Sequence, residues 1–273
     1  MKIIIIILSL LLSHCSFDNK TGIWTNSDEV NLKKDVFKDF ETLNTEKKTF
    51  NEIINPRENL KLPTNPLKIN FEWLDEFYNK SNNLDNFNYK NLNKIIYKSK
   101  KLTRYSIDEK ILFDGENIIT TDIKGNIIVY SIENQRITLK YNFYKKKLKN
   151  VKKFLNIIVE NKILYVTDNI GYLYSLDLKN QKLLWAKNYK IPFRSNLKLT
   201  EKNLVAADQN NALYLIDKFN GERKKLIPTE EMTLKNNFIN SLASNDKSLF
   251  FLNTYGSIYS INNEKFFINW FLN

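Results

Sequence analysis

Over residues 110–273 the chain repeats one pattern of apolar and polar positions. Apolar runs at 117–121, 163–167, 204–207 and 249–252 each end at an Asp or Asn, and a second apolar run begins after Gly or Asn three residues further on. Short apolar runs bounded by turn formers predict strands, and a four-residue Asx-x-x-Gly junction predicts the hairpin turn that joins them. In such a turn the Asx side chain accepts hydrogen bonds from nearby backbone N–H groups. The residue in the Gly position takes positive φ, which Asn tolerates best among the others.

The four copies align without gaps as DIKGNIIVYSIENQ (122–135), DNIGYLYSLDLKNQ (168–181), DQNNALYLIDKFNG (208–221) and NTYGSIYSIN (253–262). The turn pairs are therefore Asp122 with Gly125, Asp168 with Gly171, Asp208 with Asn211, and Asn253 with Gly256. Their leading residues are 46, 40 and 45 positions apart, the period of a four-stranded blade. The strand after each turn is apolar on both faces: Ile127, Leu173, Leu213 and Ile258 on one, Tyr130, Leu176, Ile216 and Ile261 on the other. A sheet covered on both sides by neighbouring sheets needs that composition, whereas an open sheet has one wet face. A second turn follows at 134–135, 180–181 and 220–221. Leu139, Trp185, Lys225 and Trp270 each lie 14 residues beyond the turn Gly or Asn, and the three large apolar ones are expected between adjacent sheets. Lys225 breaks the pattern and makes the third outer strand the weakest prediction.

This pattern, clearest between Asp168 and Trp185, resembles the PQQ-like β-propeller repeat and covers about 60% of the chain. The expected fold class is all-β: a propeller of PQQ-like four-stranded blades with about four blades present, half of an eight-bladed ring. In this family a strand from near the N-terminus completes the last blade, and the segment at 95–102, preceded by an aromatic stretch at 71–78, is placed to be that strand. The blade it would close is missing, so the chain is expected to be an incomplete copy of a longer ring. A complete four-bladed protein and a dimer pairing two halves are the alternatives. The expected organisation is a signal peptide at 1–15, a flexible disordered tether at 16–68 with one weak helix near 36–50, and a partial propeller at 69–273, its four repeats at 110–273.

The N-terminus changes the picture more than the bulk composition does. Lys2 precedes an apolar run of about ten residues, the form of a secretory signal and too short for the roughly 20 residues of a bilayer span. The stretch from Leu12 to Cys15 resembles a bacterial lipobox, with His14 standing where that family has Gly or Ala. The resemblance implies acylation of Cys15, and Ser16, rather than Asp, after it implies the periplasmic face of the outer membrane. Repeat and lipobox together resemble the BamB-like propeller lipoproteins of the outer-membrane β-barrel assembly machinery. The partners implied are the machinery's proteins and unfolded outer-membrane proteins, with the membrane reached through the lipid anchor and no nucleic acid. Two other readings stay open: a quinoprotein-type oxidoreductase or its decayed relative, and a propeller that binds cell-wall polysaccharide.

The scarce residues limit the chemistry. The single Cys is Cys15 and the single His is His14, so a chain cleaved at Cys15 carries no Ser-His-Asp triad, no Cys-His pair, no His- or Cys-based zinc site and no intramolecular disulfide. Asp122, Asp168, Asp208, Asp177 and Asp217 recur at equivalent repeat positions, as turn caps do and a unique catalytic pair would not. No catalytic residue, metal site or cofactor is expected. The net charge of +12 accompanies 40 Asn and an excess of Ile. Lys, Asn and Ile share A/T-rich codons, so base composition accounts for much of that charge. One cluster stands out: Lys145, Lys146, Lys147, Lys149, Lys152 and Lys153 lie between the first two repeats. They read as a solvated loop, or as a contact for an acidic protein surface or anionic lipid headgroups.

Overall fold

The computed structural model describes residues 15–17, 24–26, 55, 66–67, 72–87, 95, 97–144, 148–230, 238–245 and 247–273. The chain divides into two compact units, 1–63 and 64–273. In the first, β1 (Cys15–Phe17) and β2 (Trp24–Asn26) form a short antiparallel ladder with Phe17 opposite Trp24, in a stretch where the sequence predicts no strand. The rest of the predicted leader, and nearly all of the predicted tether with its helix, lie outside the described residues.

The second unit is built from four four-stranded antiparallel sheets, each a meander from inner to outer strand. Blade one comprises β3 (Ile107–Phe113), β4 (Asn117–Asp122), β5 (Asn126–Ser131) and β6 (Arg136–Asn142). Blade two comprises β7 (Leu155–Glu160), β8 (Ile163–Asp168), β9 (Tyr172–Asp177) and β10 (Lys182–Asn188). Blade three comprises β11 (Lys198–Leu199), β12 (Asn203–Ala207), β13 (Leu213–Asp217) and β14 (Arg223–Ile227). Blade four comprises β15 (Ser241–Ser244), β16 (Ser248–Leu252), β17 (Ile258–Asn262) and β18 (Ile268–Leu272). The fold is all-β, a run of propeller blades stacked face to face.

Period-two alternation is what stacks them. In β8, Leu164 and Val166 join Ile119, Ile127 and Val129 of blade one, while Tyr165 between them faces blade three with Leu204, Tyr214 and Ile216. In β12, Leu204 and Ala206 face blade two, and Val205 and Ala207 join Leu249, Phe251 and Ile261 of blade four. Each middle strand thus feeds two different cores, and each fully buried large apolar side chain contributes about 1.5–3 kcal/mol. Side-chain hydrogen bonds tie neighbouring blades as well: Asn196 next to β11 donates to the Leu242 carbonyl and accepts from the Leu242 N–H, both at 2.8 Å.

Three details depart from the sequence expectation. Residues 97–102 form no strand; instead Tyr97 lies against Tyr130 on the outward side of blade one, with ring centroids 6.4 Å apart. A closing strand needs a three-stranded blade to complete, and blade four already has its fourth strand in β18. The third outer strand, expected to be the weakest, is formed as β14. A fourth outer turn, which the sequence hides, occurs at 262–266, where Phe266 takes φ of 52° in the position Gly221 occupies one blade earlier.

Candidate functional site

The repeated Asx-x-x-Gly junctions place their side chains under the turns. Asp168 Oδ1 accepts from the N–H groups of Ile170, Gly171 and Tyr172 at 2.7–2.8 Å. Asp122 serves Lys124 and Asn126, Asp208 serves Asn210 and Ala212, and Asn253 serves Tyr255 and Ser257 in the same way. Gly125, Gly171, Asn211 and Gly256 all have positive φ. Burial pushes the Asp168 and Asp208 carboxyls above the usual range, against hydrogen bonds that pull them down. Asp177 and Asp217 cap the outer turns through Asn180 N–H and Phe219 N–H. These carboxylates are spread over successive blades and engaged by local donors.

The inner strands present their edges to a segment that sequence reasoning placed elsewhere. Residues 73–82 form a strap that crosses all four blades. Trp73 exchanges backbone hydrogen bonds with Phe113 of β3, at 2.7 and 2.8 Å, and the Leu74 carbonyl accepts from Val159 N–H of β7. Lys198 of β11 donates to Asp75 Oδ2 at 2.6 Å and to the Asn79 carbonyl at 3.1 Å. At blade four, Ser244 N–H donates to the Lys80 carbonyl and Asn82 Nδ2 to the Leu242 carbonyl. Unpaired inner-strand groups would otherwise be left without partners, and the strap satisfies them.

Two ion pairs pin it. Lys198 and Asp75 have side chains 0% and 6% exposed, and burial drives both toward their neutral forms: the carboxyl up, the ammonium down. Glu76, with a side chain 3% exposed, lies 3.2 Å from Lys110 and accepts from Ile157 N–H at 2.9 Å. Burial nevertheless raises its pKa to about 7. A buried pair that loses one partner leaves an uncompensated charge, so these contacts set the strap's position more than they add net stability. The sequence signal available for them was two adjacent acids inside an aromatic stretch, and a Lys on a strand position that alternation turns inward.

Between blades, the outer strands meet the next blade's outer turn. Trp185 of β10 lies over Gly221, where an added Cβ would come within 2.4 Å of the indole, and its Nε1–H donates to the Lys218 carbonyl at 3.1 Å. Leu139 is half-buried against the core of blades one and two. Lys225 occupies the same place on blade three and reaches the Lys265 carbonyl at 3.4 Å. There the next turn carries buried Phe266 in place of Gly, and the extended ammonium chain replaces an indole. Trp270 stands at the equivalent position of blade four but is 50% exposed, contrary to the expectation that it packs between sheets. It aligns with Ser260 and partly buried Phe250 on the outward side, where Leu252, Ile258 and Leu272 complete an apolar sheet face. The physical reason is that no following sheet covers that side among the described residues.

Of the lysine cluster, Lys145, Lys146 and Lys147 lie outside the described residues. Lys149 and Lys152 are exposed. Lys153 is not part of a solvated loop: it is 2% exposed, donates to the Leu148 carbonyl and sits 5.0 Å from the centre of the Tyr144 ring. Among the described residues no group of three His, Cys, Asp or Glu side chains is placed to hold a metal ion, and no helix is long and apolar enough to cross a membrane.

No protein-family model and no curated protein matches the chain. Among solved structures, BamB from Moraxella catarrhalis is similar at 12% identity with a TM-score of 0.49, over 57% of this chain and 46% of that one. The WD40 domain from Toxoplasma gondii coronin is similar at 8% identity and a TM-score of 0.47, over 57% and 44% of the two chains. The computationally designed Ika4 protein is similar at 10% identity and 0.47, over 60% of this chain and 99% of that one. The chain thus spans less than half the length of the BamB structure it matches.

Proposed function

We propose that the protein is a non-catalytic, lipid-anchored scaffold on the periplasmic face of the outer membrane that assists assembly and insertion of β-barrel proteins. The observation that carries this reading is the outward side of blade four. It is a sheet face of Phe250, Leu252, Ile258, Trp270 and Leu272 built like the faces that elsewhere pack blade on blade. A partner's β-sheet stacks there, with Trp270 over a turn that has no Cβ in its way, as Trp185 lies over Gly221. The outer edge of β18, unpaired among the described residues, accepts an extended apolar strand through main-chain hydrogen bonds, the form in which an unfolded barrel segment arrives. The lipobox-like stretch ending at Cys15 supports the address.

The test is immunoprecipitation of the full chain from detergent-solubilised envelopes. The machinery's central barrel protein is expected in the eluate of the parent protein and is lost when Trp270→Asp and Leu272→Asp are combined. Absence of the barrel protein from the parent eluate overturns the assignment. Recovery unaffected by the double variant removes blade four from it.

A further inference from the structure

The end of the blades opposite the strap carries a cleft of about 1070 Å³ that belongs to neither the strap nor blade four. Its walls are the stretch at 101–105 leading into β3, the β4–β5 turn, the end of β6 and the connection into β7. Six cations line it: Lys101, Arg104, Lys124, Lys140, Lys149 and Lys153. No Asp or Glu does. The carboxylates just behind the wall are committed inward. Asp122 accepts from Thr103, Asn126 and turn N–H groups, and Asp168 from Tyr144 and its own turn.

Surface lysines of a basic protein normally disperse or pair with acids, because like charges held close repel. Here they converge without doing so. Six lysines elsewhere in the molecule make ion pairs (Lys110, Lys162, Lys187, Lys198, Lys218 and Lys224), whereas none of the six cleft cations has a carboxylate within 4.0 Å among the described residues. Lys124 comes within 3.5 Å of the Lys149 carbonyl, and it and Arg104 both lie beside the ring of Tyr105. Lys153 is almost wholly buried, and its pKa is lowered by that burial and by the neighbouring charge of Lys124. Asp168, beyond ion-pair distance, offsets only part of that shift.

We propose that this cleft binds a phosphate-bearing ligand of high charge density, held by Arg104, Lys124, Lys140 and Lys149 with Lys153 at its floor. Such binding does not depend on the scaffold role. Arg104 supplies the planar fork suited to two phosphate oxygens, and the lysines act as point charges around it. The volume accommodates a sugar phosphate, a diphosphate or a phospholipid headgroup, which share the chemistry recognised.

Calorimetric titration of the full chain in detergent with inorganic pyrophosphate, and flotation with phosphatidylcholine vesicles with and without phosphatidic acid, separate the sources. Three proteins are compared: the parent, the cleft variant Arg104→Gln/Lys124→Gln/Lys140→Gln, and a control with equal charge removed at Lys179→Gln/Lys182→Gln/Lys190→Gln. The N-terminal leader is common to all, and matching thermal midpoints show that each is folded. The expected result is saturable binding by parent and control that weakens with salt, with at least tenfold loss in the cleft variant. Pyrophosphate binding identifies a soluble phosphate ligand, and no pyrophosphate binding with a cleft-dependent gain in flotation on adding phosphatidic acid, above the anchor's own binding to phosphatidylcholine alone, identifies a lipid headgroup. Absence of saturable binding in both arms, or equal loss in the cleft variant and the control, overturns the proposal.

Discussion

A single turn residue shows how local chemistry and packing combine. Gly171, Gly221 and Gly256 occupy related turn positions with φ of 105°, 70° and 92°, so each replacement by Ala carries the backbone cost of left-handed geometry, about 1–2 kcal/mol. What surrounds them differs. An added Cβ at Gly171 would lie 2.8 Å from Ile191 N and 2.9 Å from its carbonyl oxygen, backbone that cannot swing aside, whereas at Gly256 nothing lies within 4 Å. Gly171→Ala is therefore expected to lower the urea midpoint by the equivalent of about 3 kcal/mol or more, and Gly256→Ala by only the backbone cost. Equal midpoints for the two variants would show that φ alone decides. The sequence exposes the turn, because Asp, Gly and their spacing are written in it. It does not expose Ile191, which arrives from the connection to another blade.

At the scale of one element, the strap at 73–82 is the feature least readable beforehand. Its residues have neither period two nor a turn signature, and its backbone contacts join positions 40 to 164 residues apart in sequence, from Trp73 with Phe113 to Lys80 with Ser244. It also makes a pH prediction. Glu76 has a folded-state pKa raised by burial from 4.5 to about 7, so the native state retains a proton that the unfolded chain releases. Its contribution to stability is full below about pH 4.5 and is lost as pH rises through about 7. The parent protein should lose a few kcal/mol over that window from this group, and Glu76→Gln should flatten the slope while lowering amide exchange at 73–82 near neutral pH. A variant that keeps the parent slope would assign the dependence to other groups.

For the molecule as a whole, the test of blade-on-blade packing is a comparison of two tryptophans at one repeat position. Trp185→Ala removes a half-buried indole and the hydrogen bond to the Lys218 carbonyl, and should cost about 3 kcal/mol. Trp270→Ala, on the outward side of blade four, should stay within about 0.5 kcal/mol in thermal unfolding of the isolated chain. A large loss at Trp270 would mean that its face is already covered in solution. Strand order within each blade, the hairpin turns and the two-faced apolar strands could all be read from residues 110–273, because they rest on interactions between residues a few positions apart. Alternation even announced that the sheets must stack. The occupant of the inner edges, the exchange of indole for Lys225 beside Phe266, the burial of Lys153 and the convergence of six cations in one cleft depend on which distant segments meet. Those meetings are decided by shape and desolvation once the blades are packed, and a one-dimensional pattern does not carry them.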